Sequence, residues 1–558
     1  MQLSRRRFLG TSALRGATLM GLPGFAAHTA LAGEIAAGRA FDNVAARPAL
    51  PLAQLASQGP LPVVIVGTGY GSAVAALRLA EQGFKVVMLE MGQLWTQPAQ
   101  DGRIYSKTLA PDGRAMWFKT KTEAPLKTFL GLDLINKKIP AFAGVLDRVH
   151  LGGIDAYVGR GVGGGSLVNG GMAVTPRQQD FAQILPGVDA AEMYAKWFPL
   201  ANRTLGVNSV DPAWFEQARC YRYARVSRDH AHRAGYRTAY VPTVYDLGYL
   251  AQEDLGKVTR SATAQEILYG NNHGKCSLDQ SYLADAVGTG RVTIYTLHEV
   301  TALRQAVGGY ELDVKQIDAT GKTLAQTTLR CAKLFLGAGS LGTSQMLVKA
   351  RDTGALPRLN AQVGAGWGHN GNVMTARTNP AFTALGAVQS TMPLMGIDDR
   401  DHPTRPVFAE ITPLPTGFEN GISMYLAITK NPERGTFRWD AASVTVKLDW
   451  RPEQNAASVA AVRNLIDPIN AMLGTRYRTD LFGGGKAVAD DFCYHPLGGC
   501  VLGQATDLLG RVKGHNGLYV VDGSLIPGWT SVNPFVTITA LAERNLAHLL
   551  REDFGVAA

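Results

Sequence analysis

Apolar and polar positions near residue 61 follow the order of a strand, a tight turn, a helix and a second strand. Residues 63–66 form a continuous apolar run, which is typical of a strand buried on both faces. Small and aliphatic residues then recur at helical spacing from 73 to 80, and a second apolar run covers 85–89. The pattern predicts one βαβ unit over residues 61–92.

The turn of this unit reads Gly67-Thr68-Gly69-Tyr70-Gly71-Ser72. Gly67 permits a tight turn, and Gly69 lets the backbone approach a pyrophosphate at the helix N-terminus, where free N–H groups and the helix dipole favour negative charge. Glu90 follows the second strand, where the dinucleotide fingerprint expects an acid that binds a ribose diol; Ser72 replaces the third glycine. The unit predicts dinucleotide binding, and the acid favours NAD or FAD over NADP.

A second glycine-rich segment covers residues 159–172. Its glycine density argues against a stable helix or strand interior, because glycine loses more conformational entropy on folding than any other residue. The apolar residues Leu167, Val168 and Met172 make a solvated linker a poor alternative. We therefore expect a second loop that lies against the cofactor.

Residues 291–336 favour an antiparallel meander. Val292, Ile294 and Leu297 form one run, residues 310–314 alternate in polarity, and the last strand leads into Gly337-Ala338-Gly339-Ser340. A meander that returns to a strand ending in a glycine turn is a common accessory of FAD-binding Rossmann domains. It would bring this turn to the same edge of the sheet.

The C-terminal third predicts further strands and two long helices. Strands are expected at 407–411 and 423–428, and a helix from Ala456 onward. A later strand begins at Leu518 and runs to an acid and a glycine. The final helix is expected to start with Asn533 as its N-cap and proline as its first helical residue.

Two segments lack periodicity. Residues 33–60 indicate a linker, and residues 93–128 indicate a long loop of the kind that is usually functional or disordered. The loop carries an apolar knot at 116–118 with basic neighbours. Such a knot could contact a lipid surface as a lid, or it could pack its aromatic residues inward.

The N-terminus resembles a targeting segment, residues 1–32. Ser4 to Leu9 has the twin-arginine form, a modestly apolar stretch follows, and Ala30-Leu31-Ala32 offers a small-residue cleavage site. Twin-arginine export carries folded proteins, which suits one that acquires its cofactor in the cytoplasm. We therefore expect a secreted or periplasmic product.

Length and composition limit the function classes. A chain of 558 residues, 46% hydrophobic and 18% charged, indicates two joined globular domains. The net charge of +10 falls to +6 without the four arginines of the targeting segment, and no basic run is interleaved with aromatic residues, so nucleic-acid binding is not expected. Five cysteines without a CxxC pair predict neither a disulfide scaffold nor a zinc site, and no metal is expected.

Three polar residues stand out in apolar surroundings: Glu410, His495 and Asn533. The strand period of two would place Glu410 on one face with Phe408 and Thr412. Partial desolvation would raise the pKa of such a carboxyl toward a value useful for proton transfer. Each residue also has a purely structural alternative. Glu410 could be a surface residue of a strand, His495 could hydrogen-bond a neighbouring carbonyl, and Asn533 could cap a helix.

Eight segments together carry a resemblance that spans about Val63 to Asn545. The segments are VGTGYGSAV, LEMGQLW, GRGVGGGSLVNGGMAV, LYGNNHGK, FLGAGSLG, VFAEITP, DDFCYHPLGGCVLG and VNPFVTITALAERN. On these motifs the chain resembles the glucose-methanol-choline oxidoreductases, and within them the bacterial cholesterol oxidases that bind FAD noncovalently.

The resemblance implies an α/β fold in which a discontinuous, Rossmann-like FAD-binding domain is interleaved with a substrate domain built on a mainly antiparallel sheet. The FAD-binding domain would comprise residues 58–94, 125–208, 276–366 and 510–558, and the steroid-binding domain 95–124, 209–275 and 367–509. The implied FAD contacts are Gly67, Gly69, Tyr70, Gly71, Glu90, Gly164, Asn169, Gly170, Met172, Val300, Gly339, Asp522, Gly523 and Phe535.

The resemblance also implies the chemistry. His495 and Asn533 would position a steroid 3β-hydroxyl for hydride transfer to FAD, O2 would reoxidise the flavin, and Glu410 would shuttle a proton from C4 to C6. Phe408 resembles the family's gating aromatic, whereas Trp529 departs from the usual smaller residue. The implied partners are a sterol, O2 and, transiently, a membrane surface, with a monomeric chain. An alcohol dehydrogenase with another acceptor and a non-catalytic exported sterol-binding protein remain alternatives.

Overall fold

The computed structural model describes residues 50–128, 130, 132, 133, 135–383, 388–414 and 420–557. The predicted targeting segment and residues 33–49 of the predicted linker lie outside them. The rest of the linker contains a short helix, Leu52–Ala56, so the prediction of an irregular linker up to residue 60 is wrong. Buried Leu52 anchors the helix to the core, which five residues could not signal by periodicity.

The described part of the chain contains both strands and helices throughout, numbered in chain order. The strands are β1 Leu61–Val66, β2 Val86–Leu89, β3 Leu146–His150, β4 Asp155–Gly159, β5 Thr238–Tyr240, β6 Val292–Tyr295, β7 His298–Ala306, β8 Gly309–Ile317, β9 Thr323–Leu336, β10 Asn372–Thr383, β11 Met395–Asp399, β12 Val407–Thr412, β13 Asn420–Thr429, β14 Thr436–Asp440, β15 Thr445–Asp449, β16 Val488–Ala489, β17 Phe492–Cys493 and β18 Leu518–Val520. The α-helices are α1 Leu52–Ala56, α2 Tyr70–Glu81, α3 Gln178–Ile184, α4 Ala190–Glu192, α5 Phe198–Thr204, α6 Pro212–Gln217, α7 Arg222–Arg233, α8 Leu247–Asp254, α9 Tyr282–Gly288, α10 Gly339–Asp352, α11 Ala456–Leu473 and α12 Phe535–Glu552.

The first sheet joins a parallel part to an antiparallel meander. The parallel strands lie in the order β6-β2-β1-β9-β18, and the meander is β7-β8-β9, so the long strand β9 belongs to both. Val63 of β1 pairs with Val86 and Lys333, its neighbours on either side. Every residue of β1 except Pro62 is buried, as its continuous apolar run predicts.

One part of the meander prediction is wrong. Residues 292–295 form β6, which pairs in parallel with β2 and extends the Rossmann sheet instead of starting the meander. Leu297 lies outside that strand with a left-handed φ of 59° and connects it to β7. An apolar run of four residues fits either pairing, so its sequence could not decide the direction.

The second sheet has six strands in the order β16-β10-β13-β12-β11-β5, all antiparallel. Its two faces differ, as the period of two predicts. Ala409 and Ile411 pack in a core with residues of α7 and α11, whereas Phe408 packs with Met172 and Val532. Glu410 shares the Phe408 face, so the sheet turns this carboxylate away from its helices.

The N-termini of α2 and α12 converge. Tyr70 and Phe535, the first residues of the two helices, stack with ring centroids 4.9 Å apart. Farther along, the Arg78 guanidinium of α2 makes a 2.7 Å ion pair with Glu543 of α12, and the Tyr282 hydroxyl donates to the same carboxylate at 2.7 Å. The helices are thereby fixed with their positive dipole ends at one point.

The loop of residues 93–128 forms neither a helix nor a strand. Met116 is fully buried, and Trp117 and Phe118 are half-buried, which agrees with the alternative in which the knot packs inward. Among the described residues no helix is long and apolar enough to span a membrane, and no cluster of His, Cys, Asp or Glu could hold a metal ion. None of the five cysteines is in a disulfide.

Candidate active site

Three glycine-containing turns meet at the carboxyl edge of the parallel sheet. A Cβ at Gly67 would lie 2.4 Å from the carbonyl oxygen of Gly337, and one at Gly71 would lie 1.5 Å from that of Val521. Both distances are far below van der Waals contact, so only glycine lets β1, β9 and the segment after β18 approach this closely. This edge is where open α/β sheets bind ligands.

The second glycine-rich segment lies against the first. A Cβ at Gly164 would be 3.3 Å from the Cα of Gly69, and Gly164 has a left-handed φ of 53°. Residues Gly164–Leu167 form one 3₁₀ turn of four residues, which is too short to be the stable helix interior that the glycine density argues against. Gly164 and Gly69 together define one wall of a cleft.

Glu90 links the two glycine segments. Its carboxylate accepts hydrogen bonds from the Thr68 hydroxyl at 2.6 Å and the Gly92 N–H at 2.9 Å, and the Thr68 oxygen accepts one from the Gly163 N–H at 3.1 Å. Burial raises the pKa of Glu90 above its ordinary value, while these donors hold the carboxylate in place.

The N-terminus of α2 is left open for an anion. Its N-cap, Gly69, has no side chain to cap the helix, so the first N–H groups lack a side-chain acceptor. Buried Phe535 begins α12, which also has no side-chain cap. Two uncapped helix N-termini beside a glycine cradle fit a dinucleotide with an anionic pyrophosphate and an electron-rich ring.

Other residues expected to contact FAD lie along the same cleft. The Asn169 amide donates to the Tyr70 hydroxyl at 2.7 Å, and the buried Asp522 carboxylate accepts from Thr343 at 2.5 Å on α10, the helix that Gly339 begins. Burial raises the pKa of Asp522.

Four more of the expected contacts lie next to these. Gly523 follows Asp522 in the chain, and a Cβ at Gly170 would lie 2.7 Å from the sulfur of Met172. Val300 lies on β7, two residues after His298, whose N–H donates to the Glu90 carbonyl at 2.9 Å.

The catalytic candidate Glu410 is completely buried. Neither of its carboxylate oxygens has a hydrogen-bond partner among the described residues. Burial raises its pKa to about 8; the Asn533 amide lies near enough to oppose that rise, although the two groups form no hydrogen bond of good geometry. A buried carboxyl without a partner in its own protein is suited to a ligand.

Asn533 lies one residue outside the helix it was predicted to cap. Helix α12 begins at Phe535 with Pro534 as the N-cap residue, and the Asn533 Oδ1 has no described partner. The prediction of an Asn533 N-cap is therefore wrong, because proline already occupies the capping position and the amide points elsewhere. Its side chain is buried and available to a ligand.

His495 is held by two asparagines that sequence reasoning missed. Its Nδ1 lies 3.0 Å from the Asn372 amide nitrogen and 3.4 Å from that of Asn370. The Asn370 carbonyl oxygen accepts from the Thr530 N–H at 2.8 Å, and its amide donates to the Val532 carbonyl at 2.8 Å, which fixes the amide orientation. An amide donor on Nδ1 makes this nitrogen the acceptor and leaves the proton on Nε2.

The electrostatics keep His495 neutral. Although the residue is only partly buried, the surrounding protein desolvates the imidazole and lowers its pKa to about 3. A neutral imidazole with its proton on Nε2 can donate a hydrogen bond to an alcohol oxygen. The two asparagines could have been suspected only from the sequence Asn370-Gly371-Asn372 at the start of a strand, which is a weak signal.

Several further buried polar atoms near Glu410 lack partners. The Tyr494 hydroxyl interacts electrostatically with Glu410, and Thr412 follows on the same strand face; neither oxygen has a described hydrogen-bond partner. Native proteins satisfy most buried polar groups, so a concentration of unpaired ones indicates a ligand site.

Apolar residues border this polar group. Phe408 packs with Met172, Val241 and Val532, and a Cβ at Gly396 would lie 2.8 Å from the Phe408 ring. The glycine thus makes room for the ring. Trp529, which departs from the family pattern, is buried, and the Lys430 ammonium lies 5.3 Å above its ring. The site therefore combines an apolar wall with a few polar groups, as small-molecule sites commonly do.

Parts of the chain resemble known oxidoreductases in sequence. The family described as "GMC oxidoreductase, C-terminal" matches residues 370–483, and "GMC oxidoreductase" matches residues 432–542. A cholesterol oxidase of Mycobacterium tuberculosis is 26% identical over 86% of this chain and 90% of its own length, and one of Acinetobacter baumannii is 22% identical over 87% and 94%.

Solved structures share the fold. An FAD-dependent oxidoreductase from Chaetomium thermophilum covers 89% of this chain and 100% of its own, with a TM-score of 0.60 and 14% identity. The expected fold class, an FAD-binding Rossmann-like domain with a substrate domain on an antiparallel sheet, is confirmed. The predicted domain boundaries and the individual FAD contacts stay predictions.

Proposed function

We propose that this chain is a cholesterol-oxidase-like member of the GMC family, which oxidises the 3β-hydroxyl of cholesterol or a related sterol with noncovalently bound FAD and O2, giving H2O2. We further propose that it converts the resulting Δ5-3-ketone to the conjugated Δ4-3-ketone. The family matches and the cholesterol oxidase relatives support FAD-dependent alcohol oxidation. The sterol, the acceptor and the isomerisation are the proposal.

The observation that carries the proposal is the unpartnered Glu410 carboxyl. An alcohol oxidation alone needs no second proton-transfer group on an apolar wall, whereas moving a double bond toward a ketone does. With a pKa near 8, Glu410 is basic enough to accept a proton from a carbon beside a carbonyl and acidic enough to return it to another carbon. Its complete burial keeps water from competing for that proton.

His495 and Asn533 would bind the reacting oxygen. The neutral His495 donates from Nε2, and Asn533 contributes a side-chain amide, so the alcohol is oriented without introducing a charge. The hydroxyl proton and the C3 hydride leave together as two electrons and two protons in total. FAD, when bound, supplies the acceptor for the hydride, and O2 then takes both electrons and becomes H2O2.

The absence of a histidine in residues 159–172 supports noncovalent attachment. Export by the twin-arginine route, transient contact with a sterol-containing membrane and a monomeric state are proposed on the sequence alone. The inward packing of the knot at residues 116–118 moves the expected membrane contact away from Met116.

The test is an anaerobic absorbance titration of the purified holoprotein with cholesterol, followed by air and a peroxide assay. We expect the flavin band to bleach with one equivalent of sterol, to return with air and to yield one equivalent of peroxide. The 3α-epimer, which presents the same apolar body with the wrong hydroxyl geometry, is the matched control and should leave the band unchanged. Bleaching without peroxide would favour a dehydrogenase with another acceptor, and no bleaching would refute the sterol.

A further inference from the structure

Lys275 is a buried lysine to which the proposed chemistry gives no role. Its side chain is 4% exposed, and it is the only fully buried lysine among the described residues. Its Nζ donates to the backbone oxygen of Asn169, in the second glycine-rich segment. No described carboxylate lies within ion-pair distance of Nζ, so no salt bridge neutralises the ammonium group.

The segment that carries Lys275 is fixed against the glycine-rich loop. The Leu278 N–H donates to the Ser166 hydroxyl at 3.1 Å, and the Asp279 nitrogen lies 3.6 Å from the Cβ position of Gly163. Lys275 itself pairs with Tyr245 in an isolated bridge. The ammonium group therefore has a defined position beside the loop and cannot swing out to solvent.

Asn169 connects this ammonium to the cleft. The Asn169 backbone oxygen accepts from Lys275, and its side-chain amide donates to the Tyr70 hydroxyl at 2.7 Å. Tyr70 in turn stacks on Phe535 at the meeting point of the two helix N-termini. A charge on Lys275 would thus act on the same part of the cleft as the two helix dipoles, and burial of the ammonium group weakens its screening by solvent.

The titratable groups around Lys275 leave it as the group that changes charge near neutral pH. Burial lowers the pKa of Lys275 to about 7 and raises that of Asp279 to about 6; Asp279 accepts a hydrogen bond from Ser277. Burial also raises the pKa values of Tyr70, Tyr105 and Tyr245, which keeps these hydroxyls neutral. Cys276 is the remaining neighbour.

We infer that Lys275 is a positioning residue for the flavin chemistry: its ammonium stabilises the reduced flavin, and its Nζ takes up a proton when the flavin accepts electrons. The inference rests on the proposed FAD-dependent function. Reduction adds two electrons and one proton to the flavin, which leaves its ring anionic. One further proton moves from solvent to the neutral Nζ of Lys275. Buried opposite charges favour each other, so reduction and protonation are coupled.

The test is the midpoint potential of the bound FAD as a function of pH, measured by dye equilibration of the holoprotein. Between about pH 7.5 and 9, above the range in which Asp279 titrates, we expect the wild-type potential to fall with a slope twice that of Lys275→Met. At about pH 6 the variant should be harder to reduce by at least a hundredfold in the equilibrium constant, about 60 mV for a two-electron couple, because a slope doubled up to pH 9 requires that coupling.

Two further variants separate charge from structure. Lys275→Arg keeps a charge at every pH, so it should retain the higher potential with the shallower slope of Lys275→Met. Lys333→Met removes the same charge from a half-buried site on β9, where the ammonium lies over the Phe554 ring, and should leave both potential and slope at wild-type values. If Lys275→Met does not retain FAD, the wild-type and arginine slopes still decide the question.

The outcomes for the inference and for the proposed function are distinct. Equal slopes for wild type and Lys275→Met, or for wild type and Lys275→Arg, would overturn the role of Lys275 even if sterol bleaches the flavin. Conversely, a doubled wild-type slope measured with dyes would stand even if cholesterol failed to reduce the protein, because the dye measurement needs no substrate.

Discussion

Glu410 lies on β12 with its carboxylate fully buried, on the same strand face as Phe408 and Thr412. Neither carboxylate oxygen has a described hydrogen-bond partner, although Tyr494 and Asn533 lie near it. A carboxyl in this setting is suited to exchange a proton with a ligand.

The change Glu410→Gln tests the isomerase role. Glutamine keeps the shape but cannot accept a proton, so isomerisation should slow by at least about 100-fold while flavin reduction changes only a few-fold. Rapid-quench chromatography of the products should show the Δ5-3-ketone accumulating. If the Δ4 ketone forms at the wild-type rate, Glu410 does not move the proton.

The asparagine that orients His495 gives a second residue-scale prediction. Asn372→Ala removes the 3.0 Å contact to Nδ1, which fixes both the ring and its tautomer. The loss of one ordinary hydrogen bond should slow flavin reduction about three- to tenfold in stopped-flow measurements, with FAD still bound.

A matched control lies on the same strand. Asn379 is also a buried asparagine of β10, but it lies on the opposite face and donates to the Ser423 hydroxyl. Asn379→Ala can lower stability, yet it should leave the rate of flavin reduction unchanged. Equal slowing by both variants would mean that the sheet, not the histidine contact, is responsible.

At the scale of elements, the strand-turn-helix-strand unit was predictable because its period, its turn glycines and its terminal acid all agree. The direction of β6 and the start of α12 could not be predicted from the sequence. Four apolar residues at 292–295 fit either pairing, and Asn533-Pro534 fits a cap by residue type alone. Tertiary contacts decided both, and in the second case the Asn533 side chain lies near Glu410 with its Oδ1 lacking a described partner.

The glycines of the first turn should separate folding from binding. A Cβ at Gly69 finds no protein atom closer than 3.9 Å and its φ is −70°, so Gly69→Ala should fold with a near wild-type melting temperature. The methyl group would instead occupy the path of a bound pyrophosphate and weaken FAD binding, which fluorescence titration of the apoprotein would detect.

The neighbouring glycines supply the comparisons. Gly71→Ala places a Cβ 1.5 Å from the Val521 oxygen, so it should destabilise the fold itself. Gly165→Ala meets no atom within 4 Å and should affect neither property. Normal FAD affinity in Gly69→Ala would show that the dinucleotide does not pass over this turn.

For the whole molecule, the family resemblance implied the α/β class with a Rossmann-like sheet and a separate antiparallel sheet, whereas it did not show how the site is assembled. Glu410 comes from β12, His495 from the loop after β17 and Asn533 from the segment before α12. Their convergence depends on Asn370, which ties the start of β10 to Thr530 and Val532. Such long-range polar links leave almost no local pattern in a sequence.

Burial of Glu410 also predicts how the stability of the whole protein depends on pH. Its folded-state pKa of about 8 lies above the ordinary value of 4.5, so between these values the folded protein binds a proton that the unfolded chain releases. The stabilisation from that proton is complete below pH 4.5 and is lost as pH rises toward 8. Glu410→Gln lacks the effect and should become relatively more stable over this range, by about 4 kcal/mol at most.

Denaturant unfolding at saturating FAD measures the difference, with exposed Glu453→Gln as the control for loss of one charge. A stability difference between Glu410→Gln and wild type that stays constant from pH 5 to 8 would mean that the carboxyl is ionised in the folded protein, and with it the proton-transfer role would lose its physical basis.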